Sequence, residues 1–282
     1  MAAQTRRGFA IAMVVLLMVV VGLTVGVAMT RLSAQSKTIA RQVGKYQDHH
    51  LGRGLQEAIG AWLRQQNGRD LLDVLGVEDG HAMDIMLADG SQVSVYLRDA
   101  QGAALSNLTG QPDRQIEEGG LLLRNLSLST TESEFLRLTR PFGPMPISIN
   151  SAPDRVLEAA AQMVAGESSQ RFLSELEILR SQAAKITRAQ LSAASQSAGL
   201  TTEQRAAALR TFAVDIELWA VIIEVRAGRG MHSGRLISRY GGITRIRVNA
   251  RNSAGNPMEI GAFITWKDIG IESREVDLAA LY

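Results

Sequence analysis

Four histidines, His49, His50, His81 and His232, are the side chains readiest for acid–base or metal chemistry in a 282-residue chain that has no cysteine. Without cysteine there is no disulfide, no thiolate zinc site and no cysteine nucleophile. None of the histidines stands at a metal-ligand spacing with a carboxylate motif. His49 and His50 are adjacent in a helical stretch, where neighbouring side chains diverge, so solvated side chains are expected. The string "VEDGHAMD" places Glu78, Asp79 and Asp84 close together, an acidic cluster of oxygen donors of the kind hard cations take. No phosphate-cradling loop, nucleophile elbow or zincin motif occurs. "GRGMHSGRL", Gly228 to Leu236, is rich in glycine but lies between two strand-like stretches, where glycine serves a turn. These patterns place no catalytic group, and the chain reads as non-enzymatic.

Charge is the next chemical resource. Arg226, Arg229, Arg235, Arg239, Arg245, Arg247 and Arg251 crowd one stretch that holds Glu224 as its acid. Such a patch suits nucleic acid, anionic lipid or an acidic partner, but long stems lying over a sheet face are the preferred reading. The whole chain carries a formal net charge of +2, too small a surplus to call for nucleic acid.

The elements that must position these residues begin with the uncharged run Phe9 to Met29, bracketed by Arg6, Arg7 and Arg31. At about 1.5 Å per residue it spans the roughly 30 Å hydrocarbon core of a bilayer. It is too long for a removed secretory signal, although "LSAQS", Leu32 to Ser36, offers a weak cleavage site after it. A short basic tail before the span and a large body after it place the body outside the cytoplasm.

Beyond Arg31, Ile39, Val43, Tyr46, Leu51, Leu55, Ile59 and Trp62 recur at steps of three to five with no proline between them. That stripe continues the helix, and several glycines make it lean on a globular body. Asn67-Gly68 is a plausible stop. Around Asp89-Gly90, Met83, Ile85 and Leu87 on one arm and Val93, Val95 and Leu97 on the other alternate as a β-hairpin does. From Ala152 to Arg210 the Ala, Gln, Leu, Glu and Ser content reads as about four short helices, with hydroxyl caps before "QRFLSELEILR" and "EQRAAALR". Strands return in "TFAVDIELWAVIIEVRAG", "GRLISRYGGITRIRVNAR" and "MEIGAFITWKDIG". The expected class is α+β: a long N-terminal transmembrane helix and an antiparallel sheet interrupted by an inserted all-α domain.

Arg7-Gly8-Phe9, at the abrupt edge of the apolar run, resembles the processing site of type IV prepilins and type II secretion pseudopilins. The resemblance implies a cut after Gly8 by a prepilin peptidase and methylation of Phe9. Most members carry a Glu five residues into the mature chain, and that position here is Met13. Among pseudopilins the K-type minor subunit, which sits at the tip, typically lacks it. Asp99, Gly102, Asn107 and Leu108 in "LRDAQGAALSNL" are similar to a K-type stretch, with Ser106 as a departure. Ile147, Ile149, Asn150, Ala152, Pro153, Val156 and Leu157 in "PISINSAPDRVLEAA" are similar to the entry of the K-type inserted helical domain, and also to helix-hairpin-helix motifs that bind DNA. Between Ala152 and Arg210 seven basic residues meet six acidic ones, so packing is favoured over DNA binding.

The resemblance covers nearly the whole chain. It implies a leader over 1–8, a transmembrane helix over 9–30, its extracytoplasmic continuation over 31–67, an α+β pseudopilin domain over 68–150 and 211–282, and the α insert over 151–210. It further implies a structural tip subunit supporting protein export from the bacterial inner membrane, with the body in the periplasm and I-type and J-type minor pseudopilins as partners. Calcium, bound by relatives, is possible here without assigned ligands. The alternative is an uncleaved single-pass module that binds DNA or a surface ligand through the α insert.

Overall fold

The computed structural model describes residues 4–66, 68–75, 78–182, 185–228, 234–246, 262–272 and 276–282. The chain divides into two units, 1–54 and 55–282.

The first unit is helical. Helix α1 runs Gln4–Gln65 and so passes from the first unit into the second. The described side chains of its apolar part are exposed, and it is the one helix among the described residues long and apolar enough to cross a membrane. A helix suits a bilayer because every backbone group inside it finds its partner within the segment. The hydroxyls of Thr24, inside the run, and Thr30, just after it, obey the same rule. Thr24 donates to the Val21 carbonyl and Thr30 to those of Gly26 and Val27, each at 2.9 Å, so both donors are satisfied within the helix. The amphipathic stripe does not behave as one surface. Ile39, Val43 and Tyr46 are exposed, whereas Leu55, Ile59 and Leu63, four residues apart, are buried in the second unit.

After α2 (Gly68–Val74) the second unit forms a five-stranded antiparallel sheet in the order β1-β2-β7-β8-β9. Its strands are β1 (His81–Met86), β2 (Gln92–Asp99), β7 (Leu218–Arg226), β8 (Leu236–Arg245) and β9 (Phe263–Asp268). The β1–β2 hairpin pairs Met83 with Val95 and Ile85 with Val93, the alternation expected from sequence. Its turn is closed by Leu87 N–H to the Ser91 carbonyl at 2.8 Å, with Gly90 at φ 85°. β2 and β7 are spatial neighbours although residues 100–217 lie between them. Their shared face carries Val93, Val95, Leu97, Trp219, Val221, Ile223 and Val225, all buried. The opposite face is closed at one end by Leu218, Ala220 and Ile243 packing with Leu281 and Tyr282.

Residues 100–217 hold β3 (Ala104–Leu105), α3 (Asp113–Ser129), α4 (Glu132–Leu138), β4 (Thr139–Arg140), β5 (Ile147–Ser148), α5 (Asp154–Ala165), α6 (Ser169–Gln182), α7 (Arg188–Ser197), α8 (Thr202–Thr211) and β6 (Phe212–Ala213). Two-residue parallel bridges join β3 to β4 and β5 to β6. Helix α5 is central, with α3, α6 and α8 packed around it, and Ala159, Ala160 and Ala161 allow close approach. Leu122 and Leu126 of α3 share this core with Val156, Phe172, Leu176, Leu191 and Phe212. Burying each such large side chain contributes about 1.5–3 kcal/mol. Sequence patterning carried no expectation for α3 and α4, which lie upstream of residue 151. Thr131, Thr187 and Thr201 each complete a capping box, with Glu134, Gln190 and Gln204 in return, at α4, α7 and α8. The α+β class therefore holds, with helices set between two adjacent strands of one antiparallel sheet. Arg247 and Arg251 of the basic stretch, and the loop residues Arg229 to Ser233, lie outside the described residues.

Candidate functional site

Where the sheet gives way to the helices, at the end of β2, the chain turns through Asp99-Ala100-Gln101-Gly102. Gln101 is 1% exposed and uses every polar group it has. Its N–H donates to Asp99 Oδ1 at 2.8 Å, and its Nε2 donates to the Pro146 carbonyl at 2.8 Å. Its Oε1 accepts from the N–H groups of Glu217 and Leu218 at 2.7 and 3.2 Å, and its carbonyl accepts from Ser148 N–H at 3.0 Å. One amide side chain thus ties together the two points at which residues 100–217 leave and rejoin the sheet, and the β5 segment between them.

Asp99 also accepts a short hydrogen bond from the Ser148 hydroxyl. Burial outweighs these hydrogen bonds and raises the Asp99 carboxyl above its ordinary 3.8. A raised folded value favours the protonated fold. Its contribution to stability is full below 3.8 and is lost as pH rises through the raised value. Asp99→Asn removes that dependence. Urea unfolding is therefore expected to show wild type losing stability relative to Asp99→Asn as pH goes from about 4 to about 7.

Gly102 faces the carbonyl of Ser151. A Cβ there would stand 2.7 Å from that oxygen and 2.8 Å from its carbon. Backbone cannot swing aside as a side-chain tip does, so Gly102→Ala is expected to cost about 1–3 kcal/mol, read as a lower urea midpoint at unchanged slope.

Arg140 closes the junction. It is 0% exposed, and its guanidinium gathers backbone carbonyls. Nε donates to Ala103 at 2.9 Å, Nη1 to Phe142 at 2.7 Å, and Nη2 to Pro144 and, at 3.4 Å, to Pro146. Gly143, at φ 106°, lets the loop wrap, since a Cβ there would meet Nη1 at 2.8 Å. Burial pushes the Arg140 guanidinium down to about 10, still charged at neutral pH. Tyr282 packs against Phe142, donates a short hydrogen bond to the Ala100 carbonyl, and is pushed up to about 12 by burial.

The sheet face carries a second polar feature. Asp84, Ser94, Glu224 and Arg239 are successive register partners across β1, β2, β7 and β8. Ser94 donates to Asp84 at 2.6 Å, and His81 Nε2 stands 3.2 Å from the same carboxylate. Hydrogen bonds from Ser94 and then His81 hold Asp84 below its usual range. Glu224 receives Arg239 and Arg226, each at 2.6 Å. Burial opposes ionisation of Glu224, but the two arginines outweigh it and its carboxyl sits low. Arg245 pairs with Glu217 at 2.7 Å, an acid the sequence reading had not set against the cluster. Glu224, Arg226 and Arg239 line an open groove of ≈ 1240 Å³ with Tyr96, Arg98 and Asp99.

Asp99 and Gly102 belong to this junction, while Asn107 makes a local turn, accepting from Thr109 N–H at 3.0 Å, and Leu108 packs over Gly119. Asn150 accepts from Ile186 N–H at 2.9 Å, and Ile147, Ile149, Ala152, Val156 and Leu157 enter the helical core. Pro153 stands at the cap of α5 with Asp154 in its first turn. Arg7, Gly8 and Phe9 lie on α1, with their side chains outside the described set, and Met13 is exposed on the same helix. His49 and His50 are exposed on α1, where the His50 ring meets Tyr46 at 4.2 Å; His232 lies outside the described residues. Among the described residues no three His, Cys, Asp or Glu side chains gather as metal ligands. Gln101, Arg140 and Tyr282 escaped the sequence reading. A signal for Arg140 was present: "PFGPMP" has three prolines, which lack N–H donors and leave carbonyls in want of one.

No protein-family model and no curated protein sequence matches the chain. Among solved structures, a chain of the GspK-GspI-GspJ complex from the enterotoxigenic Escherichia coli Type 2 Secretion System is similar to it at 13% identity and a TM-score of 0.46, covering 81% of this chain and 98% of that one.

Proposed function

We propose that this chain is a K-type minor pseudopilin, a structural and non-enzymatic subunit at the tip of a type II secretion pseudopilus. The observation that carries the reading is α1. One helix holds the Arg7-Gly8-Phe9 edge, the uncharged run to Met29 and, in its last turns, the buried residues Leu55, Ile59 and Leu63 of a sheet-bearing unit. The resemblance of the processing edge and of the "INSAP" entry supports the family. The polar junction supports a scaffolding role, because its groups are spent on fixing helices to a sheet.

On this reading a prepilin peptidase cuts after Gly8 and Phe9 becomes the methylated N-terminus in the inner membrane. The body stands in the periplasm beside I-type and J-type partners. Met13 offers no carboxylate to the amine of a subunit ahead of it, and a carboxylate in hydrocarbon is retained only where it has such a partner. That favours the tip, with no subunit ahead.

N-terminal sequencing after co-expression with a prepilin peptidase tests the reading. Phe9 is the expected first residue; a chain that still starts at Met1, Ala2 or Ala3 sinks it.

A further inference from the structure

We propose that Arg31, Lys37, Arg41 and Lys45 of α1 form a docking row for a carboxylate-bearing helix of a different chain, just outside the membrane. The inference rests on the reading of α1 as a membrane-anchored assembly helix. Spacings of six, four and four residues put the row within about 120° of the helix circumference. All four side chains are exposed, none makes an ion pair among the described residues, and the first carboxylate of the chain is Asp48. On the other side of the same turns, Leu32, Ile39, Val43 and Tyr46 form an apolar stripe that is exposed too.

A like-charged i,i+4 row destabilises a helix, and an apolar stripe in water adds nothing to hold it. A partner helix that supplies carboxylates relieves the row, and the apolar stripe, on the opposite face, stays free for another neighbour. Lipid does not relieve the row. Counting about 1.5 Å per residue from Met29, Lys37 lies about 12 Å and Lys45 about 24 Å beyond the span. The headgroup layer is about 5–7 Å deep and the screening length about 8 Å, so the outer charges lie past the leaflet even with ordinary tilt. A second copy of this chain would set an identical basic row against this one and be repelled. Basic residues beside a span also resist export. Their presence on the exported side therefore favours a use after assembly, with acid on another chain.

The test places a photo-crosslinking residue at Gln42, beside the row, in the full chain in its host membrane, and sequences the adducts. The expected adduct lies in the first turns outside the membrane span of a different chain, on a helix with carboxylates three or four residues apart. The triple variant Lys37→Glu, Arg41→Glu, Lys45→Glu is expected to lower its yield about tenfold at equal membrane content, while Lys37→Arg with Lys45→Arg preserves it. Adducts with phospholipid, with this chain itself or with a helix lacking carboxylates overturn the inference, as does no adduct or a yield that ignores charge reversal. N-terminal sequencing of the same sample separates the two ideas. A chain starting at Phe9 with the wrong adduct defeats only the docking row, and an uncut chain with the expected adduct defeats only the pseudopilin reading.

Discussion

Arg140→Leu is expected to lower the unfolding free energy of the 55–282 unit by about 3–5 kcal/mol. The loss arises from what stays behind. Ala103, Phe142, Pro144 and Pro146 turn their carbonyls toward one guanidinium that is 0% exposed, and leucine takes this donor from Ala103, Phe142 and Pro144, while Pro146 keeps the Gln101 amide. Arg140→Lys recovers less than half, because an ammonium is a compact donor while the four carbonyls are spread around a planar fork. For a domain of this size, about 2–4 °C per kcal/mol translates the leucine loss into about 6–20 °C of Tm. Thermal unfolding of the detergent-solubilised chain measures it, with exposed Arg235→Leu as a control expected to stay within about 0.5 kcal/mol.

Glu224→Leu is expected to cost about 3–5 kcal/mol, because it removes the carboxylate that meets Arg239 at 2.6 Å, where the Arg239 side chain is 7% exposed. Arg226 is 38% exposed and relaxes into water, so its share is small. The double variant Glu224→Leu, Arg239→Met is expected to recover most of the loss, since it removes both buried charges rather than one. Acid titration supplies an independent sign. A carboxyl held low contributes stability above its ordinary 4.5 and loses it as pH falls through the folded value, so Glu224→Gln flattens the acid limb of a urea-midpoint profile.

The sequence made the local patterns readable. The β1–β2 hairpin announced itself through alternation around Asp89-Gly90, and α1 through an uncharged run with basic brackets. α3 did not, because Gly119 and Gly120 interrupt a helix that becomes plausible only when Leu122 and Leu126 find α5. The stripe from Ile39 to Trp62 read as one surface, yet its two ends differ in burial, a distinction no period carries. Of the junction, Asp99 and Gly102 were visible as parts of a motif, whereas Gln101 was not. Its amide joins residues more than a hundred positions apart, and nothing in the composition of either stretch records the other.

The separation of β2 from β7 also sets an order of events for folding. Closing the loop formed by residues 100–217 as a flexible chain costs about 4 kcal/mol of configurational entropy before the first β2–β7 hydrogen bond forms. The helices between them make mostly nearby contacts and form faster than a distant strand pair does. Once α3 and α5 to α8 have condensed, the chain's excursion is held in compact form and the two strand ends are brought within reach. The helical insert acts, in that sense, as a built-in chaperone for the sheet that surrounds it. Until it has collapsed, β2 presents an open edge on the side that β7 will occupy.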